Sequence, residues 1–217
     1  MHVFRNLFML CTGATLFWAM QHRDQLQQAP HPSLSSLLNQ TSNQLPSVLS
    51  PAGNKLRTVQ AADGSEQIFF SPTQDLEHVD IGLINDAHSS IKVAMYAFTD
   101  RKIAQALARK ASQGTEVWVY RDREQFEQER ARHSQVMAVL AGHRNIHVLV
   151  KGSNELMHEK AVLIDDRILR DGSGNWSVSA ARYQDNQVTV TQDRRQIVAF
   201  DREFTAMWNR AGNFAVQ

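Results

Sequence analysis

The sequence predicts an α/β domain in which helices pack on a largely parallel sheet. Three observations lead there. Short β-branched and aromatic runs alternate with helical patterns between Ile68 and Val190, the order expected of strands joined by crossover helices. Hydrophobic residues make up 42% and charged residues 21% of the 217, the balance of a chain that buries a core; it excludes a polytopic membrane protein, a collagen-like fibre and a fully disordered chain. The single cysteine, Cys11, allows no intramolecular disulfide and no cysteine zinc site, so the fold rests on its apolar core.

The elements follow in order. Ile68-Phe69-Phe70 reads as a first strand, and Asp75 to His88 as a helix with Leu76, Val79 and the run Ile81 to Ile84 on its apolar side. Ile91 to Phe98 is a strand. Thr99 or Asp100 then caps a helix through Ile103, Leu107 and Ala111, and Gln113-Gly114 ends it. Glu116 to Tyr120 is the next strand, a long charged helix runs from about Glu124 to Leu140, and Ile146 to Val150 is a further strand. Ala161 to Ile164 is an apolar strand that Asp165-Asp166-Arg167 turns into Ile168-Leu169. A short helix covers Ser177 to Tyr183, and Val188-Thr189-Val190 is a last strand.

Upstream of this domain the composition changes. Residues 1–22 combine His2 and Arg5 with a mostly apolar run from Leu7 to Met20 and no acidic residue; about 14 residues is the length of an export signal's central region, and Val3 and Phe4 extend it towards an uncleaved anchor. Both readings stay open. Residues 23–60 read as a flexible linker: from Gln25 to Asn54 there is no Lys, Arg, Asp or Glu, and four of the five prolines fall there. Asn39-Gln40-Thr41 is a glycosylation sequon. Residues 61–217 are left as the catalytic domain.

The chemistry-bearing stretch follows Val150. His158 and Lys160 lie two apart on a predicted strand, so they project from one face; Asp165, seven positions from His158, falls on the other and suits a turn-fixing role. Gly172-Ser173-Gly174-Asn175 supplies a tight turn before a helix, where backbone N–H groups, a hydroxyl and an amide form a candidate anion cradle. An imidazole, an ammonium and a donor-rich turn are what phosphodiester chemistry needs: one group to attack phosphorus, several donors to hold its oxygens as charge develops.

These residues resemble the signature of the phospholipase D superfamily, His-x-Lys-x4-Asp followed, after six intervening residues, by Gly-Ser-x-Asn. Here it reads His158, Lys160, Asp165, then Gly172, Ser173 and Asn175. The likeness extends through Met95 to Thr99 upstream and Asp185-Asn186 downstream, over roughly residues 66–210. It implies a phospholipase D-like mixed, largely parallel sheet flanked by helices. It also implies that His158 is a nucleophile forming a phosphohistidine, that Lys160, Ser173 and Asn175 bind phosphate oxygens, that Asp165 belongs to the catalytic set, and that Asp185 takes the place of a glutamate orienting the imidazole. No metal or cofactor is required, because lysine and donors replace the cation.

The family uses two histidines, and one His-x-Lys copy in 217 residues resembles the short members that pair. The expectation is a homodimer sharing one active site across a two-fold axis. The leading functional expectation is an endonuclease cutting DNA or RNA with little sequence preference; a lipid phosphodiesterase and a non-catalytic nucleic-acid-binding member are the alternatives. An exported, periplasmic or membrane-anchored location in a bacterium is expected, a mitochondrial membrane being the alternative. With 23 basic against 22 acidic residues, nucleic-acid binding needs a local patch, for which Arg101, Lys102, Arg109, Lys110, Lys151 and Arg170 are candidates. Steep salt dependence would then follow. His143 and His147, His133, His78 and His88 read as surface or core histidines. No Walker loop or nucleophile elbow is present.

Overall fold

The computed structural model describes residues 66–216. The signal or anchor (1–22), the linker (23–60), the sequon and Cys11 lie outside these residues. Among the described residues no helix is long and apolar enough to cross a membrane.

The chain runs β1 (Glu66–Ser71), α1 (Leu76–Asn85), β2 (Ser90–Met95), α2 (Arg101–Ser112), β3 (Glu116–Arg121), α3 (Arg123–Ala131), α4 (Val136–Leu140), β4 (Ile146–Val150), β5 (Lys160–Ile164), β6 (Ile168–Gly172), α5 (Val178–Arg182), β7 (Asn186–Thr191), α6 (Arg194–Trp208) and β8 (Phe214–Val216). All eight strands form one sheet, ordered β1-β7-β6-β5-β2-β3-β4-β8. The α/β class with a mixed sheet is as expected. Its parallel part is smaller than the word "largely" implies: β2, β3 and β4 are parallel neighbours, while every other pairing is antiparallel. The reason is local. Strand-helix-strand crossovers run only from β2 to β4; after that the Asp165–Arg167 turn reverses the chain into a hairpin, and hairpins are antiparallel by construction.

Alternation along the strands sorts the core into two layers. Ile91, Val93, Val117, Val119, Val148, Val162 and Ile164 face the first, against Ile84, Ile103, Leu107, Val136 and Leu140 of α1, α2 and α4. Ala94, Tyr120, Ala161, Leu163 and Leu169 face the other, covered by Ile197, Phe200, Phe204 and Met207 of α6. Every residue of β5 is buried, as a strand covered on both sides must be. Each large side chain so enclosed contributes about 1.5–3 kcal/mol.

Caps fix the helix starts. Asp75, Asp100, Asp122 and Ser177 each accept a backbone N–H from the first turn of α1, α2, α3 and α5. Asp100, rather than Thr99, caps α2, and Gly114 at φ 98° follows its end. The single long helix expected from Glu124 to Leu140 is two helices. His133 adopts φ 58°, and the Ser134 hydroxyl accepts the Val136 N–H at 3.4 Å, a local bond that competes with the helical ladder. His133 is exposed in that break. Beyond Val190, where the sequence pattern predicts no element, lie α6 and β8.

Candidate active site

The site forms where β2 ends. Met95 pairs with Lys160 across the β2–β5 ladder, so the segment leaving β2, Tyr96 to Asp100, runs alongside the start of β5. Tyr96 N–H donates to the Glu159 carbonyl at 2.9 Å. Its ring meets the His158 imidazole edge-on, centroids 4.6 Å apart and planes at 66°. The Lys160 Nζ lies 5.0 Å from the same ring's centroid and donates to the His158 carbonyl at 2.7 Å. Tyr96 itself is braced by Gln125 of α3, whose Nε2 donates to the phenol oxygen at 3.1 Å.

One residue on, Ala97 ties in the signature turn. Its N–H donates to Asn175 Oδ1 at 3.2 Å, and its carbonyl accepts from Trp176 N–H at 3.1 Å. Thr99 and Asp100 N–H groups both donate to the Trp176 carbonyl. Phe98 and Trp176 pack edge to face, centroids 4.8 Å apart. A single loop after β2 thus gathers His158, Lys160 and Asn175, which the chain supplies from two different segments.

His158 is exposed while Lys160 is 6% exposed. Burial holds the Lys160 ammonium pKa below the ordinary lysine range, opposed by the Glu159 carboxylate and reinforced by the Arg170 charge. The segment before His158 is also held: Met157 N–H donates to buried Asp122 at 2.9 Å, and the buried Lys151 ammonium donates to the Glu155 carbonyl at 2.6 Å.

Other predicted residues stand differently. Ser173 accepts the Gln187 N–H at 3.1 Å and donates to Asn186 Oδ1 at 2.9 Å. Asp185 is exposed in the turn before β7, and the residue that meets Ser173 is its neighbour Asn186. Asp165 lies beyond the far end of β5, about 20 Å from His158 along an extended chain. Its carboxylate accepts the N–H groups of His88, Ser89 and Ser90 and the Ser89 hydroxyl, pinning the α1–β2 connection to the hairpin.

Two expectations are narrowed. In the signature turn the N–H groups of Gly172 and Ser173 donate to Asp171 Oδ1 and to the Gln187 carbonyl, because β6 and β7 remain paired up to the turn, so the expected cradle is reduced to the N–H groups of Gly174 and Asn175. The candidate basic patch loses two members: Arg170 is 1% exposed and paired with Asp80, and Lys151 is 6% exposed on backbone carbonyls, while Lys102 stays exposed and is paired with Glu77.

The sequence reading missed Tyr96 as the wall of the site, Gln125 behind it, and Asn186. Tyr96 and Asn186 each carried one signal, their places in the Met95–Thr99 and Asp185-Asn186 stretches of the likeness; Gln125 carried none.

Comparison with known proteins adds the following. The family described as "Cardiolipin synthase, PLD-like domain" matches residues 81–208. The mitochondrial cardiolipin hydrolase of Xenopus tropicalis is 26% identical over 126 residues, 58% of this chain and 58% of that protein. This chain thus spans little more than half the length of that relative. The solved structure of NucT from Helicobacter pylori aligns with TM-score 0.62 and 27% identity over 70% of this chain and 100% of NucT. Nuc, a phospholipase D family member from Salmonella typhimurium, aligns with TM-score 0.62 at 21% identity over 71% of this chain and 99% of Nuc, a likeness of fold.

Proposed function

Because the chain belongs to the phospholipase D-like family, we propose that it is a metal-independent phosphodiesterase that cleaves nucleic acid with little sequence preference. The observation that carries this reading is the exposed His158 imidazole braced on Tyr96, with the Lys160 ammonium over the same ring.

In the proposed reaction an imidazole nitrogen of His158 forms a bond to phosphorus as the bond to the leaving oxygen breaks. That oxygen takes a proton from a second histidine. Water then attacks the phosphohistidine, giving its proton to the second histidine as the N–P bond breaks. Lys160 and the Asn175 amide, whose oxygen is occupied by Ala97 N–H, hold the non-bridging oxygens. Ser173 joins them only by giving up its bond to Asn186. Asp165 acts as an anchor. Asp185 would orient the imidazole only by moving from its exposed turn.

We assign the second histidine to His158 of a second copy, across a two-fold axis. Two identical groups then act as nucleophile and acid, which requires their pKa values to be set apart by substrate and surroundings. An active monomer in sedimentation at assay concentration would rule this arrangement out. The N-terminal segment would export or anchor the enzyme.

A second reading, phospholipid as substrate, is favoured by a specific observation. Leu156, two residues before His158, Val178 at the start of α5 and Tyr183 at its C-cap are 56%, 46% and 74% exposed, exposed apolar side chains near the signature residues in sequence that suit a lipid surface. The Xenopus relative is named a cardiolipin hydrolase. The test presents oligonucleotides, single-stranded and duplex, and cardiolipin vesicles to the full chain in excess EDTA beside His158→Ala. Nucleic-acid cleavage that survives EDTA and vanishes in the variant supports the leading reading. Hydrolysis confined to vesicles replaces it with the second, and inactivity on both refutes the phosphodiesterase assignment.

A further inference from the structure

Arg170 sits on β6, 1% exposed, two residues before the signature turn proper. Its guanidinium reaches three separate elements. Nε and Nη2 donate to the two carboxylate oxygens of Asp80 on α1, at 2.8 and 3.0 Å. Nη1 donates to the carbonyl of Lys160 at 2.6 Å. Nη2 also donates to the carbonyl of Gly174 at 2.9 Å. Lys160 opens the strand that carries the ammonium; Gly174 lies between Ser173 and Asn175.

We infer that Arg170, oriented by Asp80, is a positioning residue that sets the distance between the two halves of the phosphate-binding set. The inference rests on the phosphodiesterase reading above and names the device that aligns its donors. A planar fork with five donors in fixed directions meets a carboxylate and two carbonyls at once; a lysine ammonium, a point charge on a flexible stem, does not. Stability alone does not call for this arrangement, since buried ion pairs are often replaced by apolar side chains with little loss. What the fork adds is a rigid tie between Lys160 and Gly174. The turn has little slack of its own: a Cβ at Gly174 would lie 3.2 Å from Leu76, 3.3 Å from Val188 and 3.5 Å from Arg170 Nη2.

The test uses the full chain with Arg170→Met, Arg170→Lys and Asp80→Asn. Three quantities are read: thermal unfolding; kcat and KM for bis(p-nitrophenyl) phosphate in EDTA, well below each unfolding temperature; and backbone amide resonances of Lys160 and Gly172 to Asn175. A misplacement near 1 Å costs on the order of 100-fold, so Arg170→Met is expected to lose about 100-fold in kcat with KM within about 3-fold, the pattern of lost transition-state alignment. Arg170→Lys should recover little, and Asp80→Asn, which keeps the arginine, should lose about 10-fold. In all three, the amide resonances of both segments should shift together. A lowered unfolding temperature with unchanged kcat would reduce Arg170 to a structural residue and overturn the inference. Should Arg170→Met not fold, Asp80→Asn decides by the same criteria. Should the wild-type chain hydrolyse no phosphodiester, the functional reading fails by itself, and the resonances decide the tie: shifts confined to one segment overturn it.

Discussion

Replacing Asp165 with asparagine separates an anchor from a catalytic group. Oδ1 accepts Ser89 N–H at 2.7 Å, Ser90 N–H at 2.9 Å and the Ser89 hydroxyl at 2.9 Å, and Oδ2 accepts His88 N–H at 2.8 Å. Four hydrogen bonds to a charged acceptor would total about 6 kcal/mol or more at full value. His88 and Ser89 are exposed, so water takes over much of that, and about 2–3 kcal/mol is the expected loss. In a domain of this size it lowers Tm by roughly 4–12 °C. Asp165 has φ 51°, as does Asp166, and asparagine tolerates this left-handed conformation as aspartate does. Asp165→Ala adds about 1 kcal/mol of backbone strain on top.

The pH dependence carries a definite sign. Burial pushes the Asp165 carboxyl up, but the N–H groups of Ser90, Ser89 and His88 and the Ser89 hydroxyl outweigh it and hold its pKa below the ordinary carboxylate range. Its stabilisation is therefore present above the unfolded pKa of about 3.9 and lost as pH falls through the folded value. Thermal unfolding of wild type and Asp165→Asn between pH 3 and 8 should show a gap that is constant above about pH 5 and closes in acid. Turnover per folded molecule should stay within about 3-fold, since the carboxylate lies a strand's length from His158. An unchanged Tm at pH 7 would refute the anchoring argument. A 100-fold loss of kcat in fully folded protein would return Asp165 to the chemistry.

Tyr96→Leu removes the one ring that lies beside His158 and under Lys160; contacts of about 0.5–2 kcal/mol predict a roughly 2- to 30-fold fall in kcat, with Tyr96→Phe near wild type. Lys160 must be charged to hold phosphate, so activity should fall as pH rises through its depressed pKa, on an alkaline limb below the range of an ordinary lysine; Lys160→Arg should abolish that limb at reduced kcat, and an identical limb would assign it to another group. Lys102 and Arg182 are paired with Glu77, and Arg123 with Glu127. The slope of log kcat/KM against log salt for a single-stranded oligonucleotide should therefore be about −1 to −3, and −6 or steeper would reveal a basic track elsewhere.

Sequence and structure agree where information is local. The cap at Asp100, the hairpin turn at Asp165-Asp166 and the strands β2 and β5 each depend on a few neighbouring residues, and each is found. They part where competing local patterns look alike. Phe126, Glu129, Val136 and Leu140 fall within roughly 80° of one another on a continuous helix, so periodicity reads straight across the break at His133. Outside the hairpin, strand direction is hard to read for a similar reason: a run of apolar residues looks the same whichever way it enters the sheet.

The site shows the same division more sharply. The spacing His158, Lys160, Asp165 measures a strand: Lys160 opens β5, Asp165 follows its end, and the interval is the strand's length. Such a motif marks two ends of one element, and only the end beside Tyr96 gathers the groups for phosphate chemistry. The side chains that bring the ends of other elements to it come from afar. Asp80 and Arg170 are 90 residues apart, and Tyr96 and Gln125 are 29 apart, with no periodicity to connect either pair. Arg170 looked like a surface cation because a sequence displays its charge and conceals its burial. Once buried, that charge cannot serve a long substrate, and its directional donors are left to hold Lys160 and Gly174 in place.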